Sequence, residues 1–384
     1  MDSRTHPRAG IAISAAFVRA GAVGGAEQSL YATIEGLDRT VDAGLPIDVF
    51  AGDPLPPDAC DLTHPSRVRR RALPKHPRNR FLLDTIALHR ARERAAILFP
   101  NYFTPPGVSR SKIVTVINDL QYLHYPEHFS WRKRMWLRAA HELTLRRADA
   151  TVAISEYVRS DILRAYGTRH APRVHVIPWP IRWTAFDQPA QPPGQLIQWL
   201  GDHPFVLSVA AHYRHKNLET LVRAFARAAR QRPELRLVLV GQRADRLIGA
   251  VQARPIGALI QELGLEDRVF VTGYIGERVI GWLYRRATLF AFPSVFEGMG
   301  RPPVEALGMG LPVLTTRCTA MPEMTRGLAV FVDDPHDVEE MASGILRILT
   351  SRADFVPAPA DVARIRHDFS PEVLGGRFRD LLLS

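Results

Sequence analysis

The chain has 384 residues, 46% of them apolar and 23% charged, and a formal net charge of +11. This length exceeds one ordinary hydrophobic core and predicts two or three domains, and the apolar content excludes an intrinsically disordered chain. The positive charge indicates an anionic partner.

Strand-like and helix-like segments alternate along the first half, which is typical of α/β proteins. A Gly-rich turn followed by residues 26–40 predicts a helix after the first strand. Ser155 is a residue type that caps helices, and it precedes a predicted helix at Glu156–Tyr166. The predicted strands are Ile11–Ser14, Pro46–Phe50, Ala96–Pro100, Lys112–Ile117, Thr151–Ile154 and Val174–Ile177.

The alternation restarts after Pro178–Pro204, a Pro- and Gln-rich segment whose middle we interpret as an interdomain linker. The second half has a predicted helix at Asn217–Gln231. Its predicted strands are Phe205–Ala211, Leu235–Val240, Arg268–Thr272, Leu289–Phe292, Pro312–Thr316 and Ala329–Val332.

We therefore expect an N-terminal domain at 1–190, a C-terminal domain at 191–370, and a terminal helix at 371–384 that packs toward the N-terminal domain. Both domains are expected to be Rossmann-like, each with a parallel sheet. Ligands of such folds bind at the carboxyl ends of the strands, which predicts a site in a cleft between the two halves.

Cys60 and Cys318 stand far apart with no Cys-x-x-Cys spacing, which argues against a disulfide framework or a zinc site and fits a reducing cytosol. No segment approaches 18 uninterrupted apolar residues, and the N-terminus lacks a signal-peptide pattern. We expect a cytoplasmic chain that does not span a membrane.

Most of the positive charge lies in the first half. Residues 1–180 contain 26 Lys+Arg and 17 Asp+Glu, a difference of +9, and the remainder contains 24 and 22, a difference of +2. One basic patch is Arg67–Arg71, followed by Lys75, Arg78 and Arg80, which is expected in a Pro-containing loop.

A second basic patch, Ser130–Arg147, is predicted as a helix with six basic residues. Its apolar residues are Trp131, Met135, Trp136, Leu137 and Leu143. An aromatic and basic helix suits an anionic membrane surface, here the inner leaflet of the plasma membrane. The alternative is that the apolar residues pack on the core and the arginines are simply solvated.

The most informative segment is Ser294–Thr316, SVFEGMGRPPVEALGMGLPVLTT, which follows the strand-like run Leu289–Phe292. Gly298 and Gly300 remove side chains where a ligand could approach backbone N–H groups. The following Pro302-Pro303 suits the first turn of a helix, where a missing N–H loses no partner.

Glu297 is expected on the loop and Glu305 in the opening turn of that helix, eight positions later. The pair alone is weak evidence, but the whole block closely resembles the donor-sugar signature of GT-B retaining glycosyltransferases of family four. The resemblance implies that Glu297 contacts the sugar hydroxyls of a nucleotide-sugar and Glu305 holds the ribose. It also implies that Gly298, Met299 and Gly300 lie against the donor.

Two other segments extend the resemblance. The run Gly21–Glu27 is similar to the family's N-terminal Gly-Gly-x-Glu loop, which implies that Gly24 and Gly25 approach the donor phosphates and the acceptor. Lys216 matches the family lysine that neutralises the diphosphate as the sugar leaves.

The family commonly has an arginine five positions before this lysine, where this chain has Ala211. Arg214 is a candidate for that second positive charge. Tyr274 and Ile275 resemble the stretch whose backbone contacts the nucleobase.

Asn118-Asp119-Leu120 follows the strand Lys112–Ile117, where family members often carry His-Asp-Leu. Asn118 can still hydrogen-bond a sugar but cannot act as a base near neutral pH. Asn118, Asp119 and His124 are the candidates for contact with the acceptor, and the alternative is a structural turn.

The resemblance implies sugar transfer from a nucleoside diphosphate with retention of configuration, without a metal or cofactor. Consistent with this, no Asp-x-Asp pair at a strand end is available for a divalent cation. Glu297 and Lys216 are assigned as the catalytic, stabilising residues, and no protein nucleophile is required.

The expected donor is GDP-mannose or a related GDP-hexose, and the expected acceptor is a glycan on a polyprenyl diphosphate in bacterial surface polysaccharide synthesis. A UDP-sugar donor is the alternative within the same class. A nucleotide-sugar epimerase and a basic nucleic-acid-binding protein are the alternatives from other classes, and no recognisable nucleic-acid-binding module is visible.

Overall fold

A computed structural model of the protein describes residues 9–18, 25–42, 44–53, 60–74, 80–107, 109–242 and 255–384. The chain divides into two compact units, one formed by residues 1–181 with 368–384 and the other by residues 182–367. The divide at 181/182 precedes the predicted one at 190/191, and residues 368–370 join the first unit with the terminal helix.

Within the described part of the first unit, seven parallel strands form one sheet in the order β3-β2-β1-β4-β5-β6-β7. Most of its strands are buried along their whole length, as expected for a parallel sheet that is covered on both faces. The strands are β1 Ile11–Ser14, β2 Ile47–Ala51, β3 Val68–Ala72, β4 Ala96–Phe99, β5 Lys112–Ile117, β6 Ala150–Ala153 and β7 Val174–Val176.

The described residues of the second unit contain a six-stranded parallel sheet in the order β10-β9-β8-β11-β12-β13. Its strands are β8 Phe205–Val209, β9 Arg236–Val240, β10 Val269–Gly273, β11 Leu289–Phe292, β12 Val313–Thr316 and β13 Val330–Val332. Two parallel-sheet, Rossmann-like units confirm the predicted α/β fold class.

Helices connect the strands in both units. They are α1 Gly25–Thr40, α2 Arg80–Arg90, α3 Gln121–His124, α4 Trp131–Arg147, α5 Glu156–Tyr166, α6 Trp183–Asp187, α7 Gly194–Leu200, α8 Leu218–Gln231, α9 Ile256–Glu262, α10 Glu277–Arg286, α11 Arg301–Gly308, α12 Met321–Met324, α13 Val338–Thr350, α14 Arg352–Phe355, α15 Pro359–Asp368 and α16 Pro371–Leu383. Short 3-10 turns occur at Pro126–His128, Thr168–Arg173 and Arg214–Lys216.

Two predicted helix starts are confirmed by their capping bonds. The Ser155 hydroxyl accepts a hydrogen bond from the Val158 backbone N–H at 3.1 Å, at the start of α5. Ser130 accepts one from the Lys133 N–H at 3.4 Å, at the start of α4. These bonds satisfy backbone donors that the first turn of a helix leaves without partners.

The predicted loop at Arg67–Arg71 is wrong, because residues 68–72 form the edge strand β3, paired in parallel with β2. Arg67 is not part of a surface patch, since its side chain is buried and its Nη1 donates to the Val41 carbonyl at 2.5 Å. Arg71 Nε lies 3.0 Å from Asp48 Oδ1. A strand rich in arginine lacks an apolar pattern, yet charge suits an edge that must not pair with another chain.

The middle of Pro178–Pro204 is not the interdomain linker that was predicted, because residues 188–193 lie between the helices α6 and α7, inside the second unit. Phe186 of α6 is fully buried. A Cβ on Gly281 of α10 would lie 2.9 Å from the Phe186 Cα, so only glycine permits this close approach. The Pro and Gln content therefore marked short helices and turns and not a flexible connection.

The C-terminal helix α16 packs within the first unit against α1. The contact is made through two glycines, since a Cβ on Gly36 would lie 2.8 Å from the Gly375 Cα. Such small residues let two helix backbones approach closely. The last helix of the chain is therefore part of the unit that the first strand begins.

Candidate active site

The strand order of the second unit brings two predicted site residues together. The next strand in sequence, β9, pairs with one edge of β8, and β11 pairs with the other edge of β8. Loops that follow β8 and β11 therefore meet at the point where the strand order reverses, which is where ligands bind in open α/β sheets. Lys216 follows β8 and Glu297 follows β11, and Lys216 Nζ lies 2.5 Å from Glu297 Oε1.

Neither charge of this pair is fully buried. The Lys216 side chain is 17% exposed and that of Glu297 12%. Lys216 Nζ also lies 5.4 Å from the centre of the Phe292 ring, over a residue of β11. The ammonium group is therefore held beside a carboxylate and an aromatic face, with solvent access on the remaining side.

Glu297 is oriented by groups that the sequence did not single out. The Ser294 hydroxyl donates to Glu297 Oε1 at 2.6 Å, so this oxygen receives bonds from both Ser294 and Lys216. The backbone N–H of Glu297 donates to Thr319 Oγ1 at 3.0 Å. Thr319 has a positive φ of 52°, an uncommon conformation for a non-glycine residue. Glu297 is thus held in place through both its side chain and its backbone.

Asn217 ties the two loops together. It adopts the left-handed conformation, with φ 54°, directly before α8. Its side-chain amide donates to the carbonyl oxygens of Pro293 at 3.1 Å and Pro335 at 2.6 Å. Asn217 directly follows Lys216 in the sequence, and Pro293 directly follows β11. The two bonds therefore hold Lys216 close to the loop that contains Glu297.

The glycine loop in front of α11 is tightly packed at its end. Gly298 is half-buried, and Met299 and Gly300 are buried. Gly300 has φ 68°, and a Cβ at that position would lie 1.9 Å from Cε and 2.7 Å from Sδ of Met321. Gly300 thus suits the left-handed backbone, and an added Cβ would displace the end of the buried Met321 side chain.

Gly300→Ala is expected to reduce the free energy of unfolding by about 2–4 kcal/mol, since left-handed strain costs ~1 kcal/mol and overpacking ~1–3 kcal/mol. Gly310→Ala is the matched control, because Gly310 has φ 75° but no atom within 4 Å of an added Cβ. Chemical denaturation of both variants measures the difference. Equal losses in the two variants would contradict the close contact with Met321.

Glu305 lies in a buried polar cluster. The Tyr284 hydroxyl donates to Glu305 Oε2 at 3.0 Å, and Arg301 Nε lies 2.6 Å from Glu305 Oε1. Glu305 is the fifth residue of α11, which begins at Arg301, so it lies in the second turn and not in the predicted opening turn. The helical spacing from 301 to 305 places the two side chains on one face of α11.

The cluster extends to α10 and to the start of the unit. Arg301 Nη2 donates to Glu277 Oε1 at 2.8 Å, and Arg182 Nη2 donates to Glu277 Oε2 at 2.8 Å. The cluster therefore alternates acid and base along Glu305, Arg301, Glu277 and Arg182, with Tyr284 at one end. Glu305 is buried, and the side chains of Arg301, Glu277 and Arg182 are 10%, 12% and 14% exposed; charges so placed are tolerated when each has a partner.

Burial raises the pKa of Glu305 above its ordinary value, and the neighbouring Arg301 opposes that rise. Burial and the adjacent Glu305 carboxylate raise the pKa of Tyr284 well above its usual range, so its hydroxyl remains a donor. The fold thus favours the protonated form of Glu305 more than water does.

The remaining donor candidates differ in exposure. Arg214 is exposed, Tyr274 is 54% exposed, and Ile275 is half-buried after β10. Gly25 is the first residue of α1 in the other unit, and Gly24 lies outside the described residues. Among these residues, Arg214 shares the 3-10 turn of Lys216.

The three acceptor candidates follow β5 in the first unit, and each has a polar partner there. Asn118 Oδ1 accepts from Trp179 Nε1 at 2.7 Å. Asp119 Oδ1 accepts from the Gln121 backbone N–H at 2.9 Å, as in an Asx turn. His124 Nε2 lies 2.7 Å from Asp161 Oδ2.

Tyr102 is a further residue at this edge that sequence reasoning missed. Its hydroxyl donates to Asp119 Oδ2 at 3.2 Å, and its backbone has a positive φ of 66°. A strained backbone at the carboxyl end of a strand is common at functional sites. No short motif marks Tyr102, whereas the 301/305 spacing on α11 was readable.

Among the described residues, no group of three or more His, Cys, Asp or Glu side chains is arranged to hold a metal ion. Positive charge at the Glu297 loop is supplied by Lys216 and, nearby along the chain, Arg214. No helix in the described part of the chain has the length and apolar character needed to cross a bilayer.

Comparison with known families agrees with this geometry. The sequence pattern of the family described as Glycosyl transferases group 1 matches residues 197–363, and that of Glycosyltransferase Family 4 matches residues 23–182. The chain thus carries a group 1 glycosyl transferase domain in its second half and a Glycosyltransferase Family 4 domain in its first half. The predicted resemblance is thereby confirmed, and the Lys216–Glu297 pair and Glu305 all lie within the group 1 match.

One relative of this chain is the O-antigen chain mannosyltransferase B of Escherichia coli. It is 27% identical over 259 residues, which are 65% of this chain and 64% of that protein. The matched segment therefore spans less than two thirds of the relative's length.

Two solved structures share the fold over 97% of this chain. Sucrose-phosphate synthase from Thermosynechococcus elongatus has a TM-score of 0.75 at 24% identity, with 98% of that chain covered. Anabaena HepE in complex with UDP-glucose has a TM-score of 0.72 at 20% identity, with 99% covered. These structures confirm the predicted GT-B fold class, which is built from two Rossmann-like units.

Proposed function

We propose that this chain is a retaining, metal-independent hexosyltransferase that moves a sugar from a nucleoside diphosphate to a glycan acceptor. The observation that carries the proposal is the contact between Lys216 and Glu297 at the carboxyl ends of β8 and β11. A lysine at this point can neutralise a diphosphate, and a fixed carboxylate can accept hydrogen bonds from sugar hydroxyls.

In this mechanism the diphosphate supplies the negative charge that Glu297 provides to Lys216 in the free protein. The bond from the anomeric carbon to the phosphate oxygen breaks, and that oxygen takes the proton of the attacking acceptor hydroxyl. Attack occurs on the face that the phosphate leaves, so the configuration is retained. Lys216 stabilises the charge that develops on the leaving group.

The favoured donor is GDP-mannose or a related GDP-hexose, supported by the similarity to an O-antigen chain mannosyltransferase. The acceptor is a glycan on a polyprenyl diphosphate at an anionic membrane surface, consistent with the charge excess of the first half. Asn118, Asp119 and His124 are the proposed contacts with the acceptor, and Tyr274 and Ile275 with the nucleobase.

A UDP-sugar donor is the second candidate, favoured by the fold shared with HepE, whose structure holds UDP-glucose. Thermal shift and saturation-transfer NMR with GDP-mannose, UDP-glucose, UDP-GlcNAc and dTDP-rhamnose separate the two. We expect GDP-mannose to raise the melting temperature most. If no nucleotide or nucleotide-sugar stabilises the protein, the proposal fails.

The stereochemical part of the proposal has its own measurement. Proton NMR of the product formed from an α-linked donor sugar should show an α linkage. A β linkage would refute retention while leaving the donor assignment in place.

A further inference from the structure

The N-terminal end of α4 exposes three large apolar side chains. Trp131 is 68% exposed, Met135 61% and Trp136 48%. Core packing of these three side chains, the alternative left open by the sequence, is therefore wrong. Large apolar side chains on one short segment mark an interaction surface when they cluster.

These side chains share one side of the helix. At ~100° per residue, Trp131, Met135 and Trp136 fall within ~140° of arc around α4. The buried residues of α4, His141, Thr144 and Leu145, belong to its second half. The first two turns thus project their aromatic side outward while the last turns anchor the helix.

The apolar surface continues onto α2. The Phe103 ring lies 5.4 Å from the Trp136 ring and 5.6 Å from the Phe81 ring, measured between centroids. Phe81 is 37% exposed and its neighbour Leu82 44%. Phe103 is buried beneath them, so it joins the two helices into one surface.

Basic side chains surround this surface without acidic counterparts. Arg132, Lys133, Arg134 and Arg138 are exposed, and no acidic residue occurs between Glu127 and Glu142. Within the part of the chain that the structure describes, none of the four has a carboxylate within 4.0 Å. We name the surface formed by Phe81, Leu82, Trp131, Met135 and Trp136 with these four basic residues the α2–α4 face.

We propose that the α2–α4 face docks on an anionic lipid bilayer, with the aromatic side chains inserted at the headgroup level. Tryptophan and arginine together suit this interface, because indole rings partition there and basic side chains bind anionic headgroups. A second copy of the chain would bring like charges together, which disfavours a symmetric dimer through this face. This inference rests on the proposed function, because docking on a bilayer would bring the transferase to a lipid-linked acceptor.

Vesicle co-flotation tests the proposal with the full chain and vesicles of phosphatidylglycerol and phosphatidylcholine in equal parts. Trp131→Gln with Trp136→Gln should weaken partitioning at least ~10-fold, as expected from the loss of apolar burial. Arg132→Glu with Arg134→Glu should weaken it roughly 30-fold or more. Brominated phosphatidylcholine should quench tryptophan emission of the wild type more than that of the Trp variant.

The matched control is Arg92→Glu with Arg230→Glu, which changes the net charge equally at exposed arginines outside the face. It should retain most of the flotation. The proposal is overturned if the wild type does not float, if the control loses as much as Arg132→Glu with Arg134→Glu, or if the Trp pair is without effect. Retention on DNA or RNA in place of vesicles, lost in the same variants, would also overturn it.

The nucleotide-sugar thermal shift, measured without vesicles, separates this proposal from the proposed function. We expect the Trp variant to keep the shift of the wild type, which also shows that it is folded. Flotation without any nucleotide-sugar shift would refute the transferase and leave the α2–α4 face supported. A shift without flotation would refute the face alone.

Discussion

Replacing Lys216 by alanine is expected to lower kcat by about 100- to 1,000-fold, the loss typical of removing one group that stabilises developing charge. The fold should persist, because Ser294 still donates to Glu297 and the pair is partly exposed. Steady-state kinetics with the donor identified by thermal shift measures the effect. Glu297→Ala should also chiefly lower kcat and leave nucleotide affinity nearly unchanged.

Arg230→Ala serves as the control for the lost charge, since Arg230 is an exposed residue near the end of α8. Its kinetics should match the wild type. Lys216→Arg tests geometry, because a guanidinium keeps the charge but not the compact ammonium. Wild-type turnover in both Lys216→Ala and Glu297→Ala would remove the catalytic assignment.

Glu305→Ala is expected to destabilise the protein by about 3–5 kcal/mol, the cost of removing one partner from a buried ionic cluster. The change removes the Glu305 acceptor of the Tyr284 hydroxyl, which keeps only the longer bond to the Pro302 carbonyl at 3.4 Å. It leaves Arg301 with Glu277 as its remaining acidic partner in the described cluster. It should also weaken nucleotide binding, in line with the proposed ribose contact. Tyr284→Phe is the milder comparison, expected to cost about 1–2 kcal/mol.

The raised pKa of Glu305 also predicts a sign for the pH dependence of stability. The folded state holds the proton of Glu305 to a higher pH than the unfolded chain, whose value is 4.5. This contribution is fully present below 4.5 and is lost as pH rises through the folded pKa. Subtracting the stability curve of Glu305→Gln from that of the wild type should give a difference that falls with pH in this window.

A difference between those two curves that is independent of pH would contradict the raised pKa of the buried Glu305 carboxyl. A difference that rises with pH would mean that Arg301 outweighs burial and lowers the pKa of Glu305. Chemical denaturation at a series of pH values distinguishes the three results.

Strands with apolar patterns were predicted well, and the strand without one was missed. Lys112–Ile117 and Leu289–Phe292 have the predicted bounds, because β-branched and aromatic runs are favoured in buried parallel strands. The strand β3, Val-Arg-Arg-Arg-Ala, has no apolar face and forms only because β2 offers an unpaired edge. Its pairing is a property of the sheet and not of the segment.

The α4 helix shows the same division. Its extent was predicted to within one residue, as Ser130–Arg147 against Trp131–Arg147 in the structure. Whether Trp131 and Trp136 face a core or solvent was not, because the helix has apolar and basic residues on the same side. The exposure of these side chains depends on which other parts of the unit pack over the helix. In the structure, the large apolar side chains in the first turns of α4 remain exposed.

The sequence by itself determined the alternating α/β pattern, the glycine loop before α11 and the resemblance to glycosyltransferases. These depend on short-range patterns of residue size, polarity and backbone freedom. Only the tertiary structure decided that Lys216 contacts Glu297, which lies 81 positions away, and that Glu305 is buried against Tyr284 and Arg301. The physical reason is that strand order and helix packing bring distant residues together, and neither is encoded in any one segment.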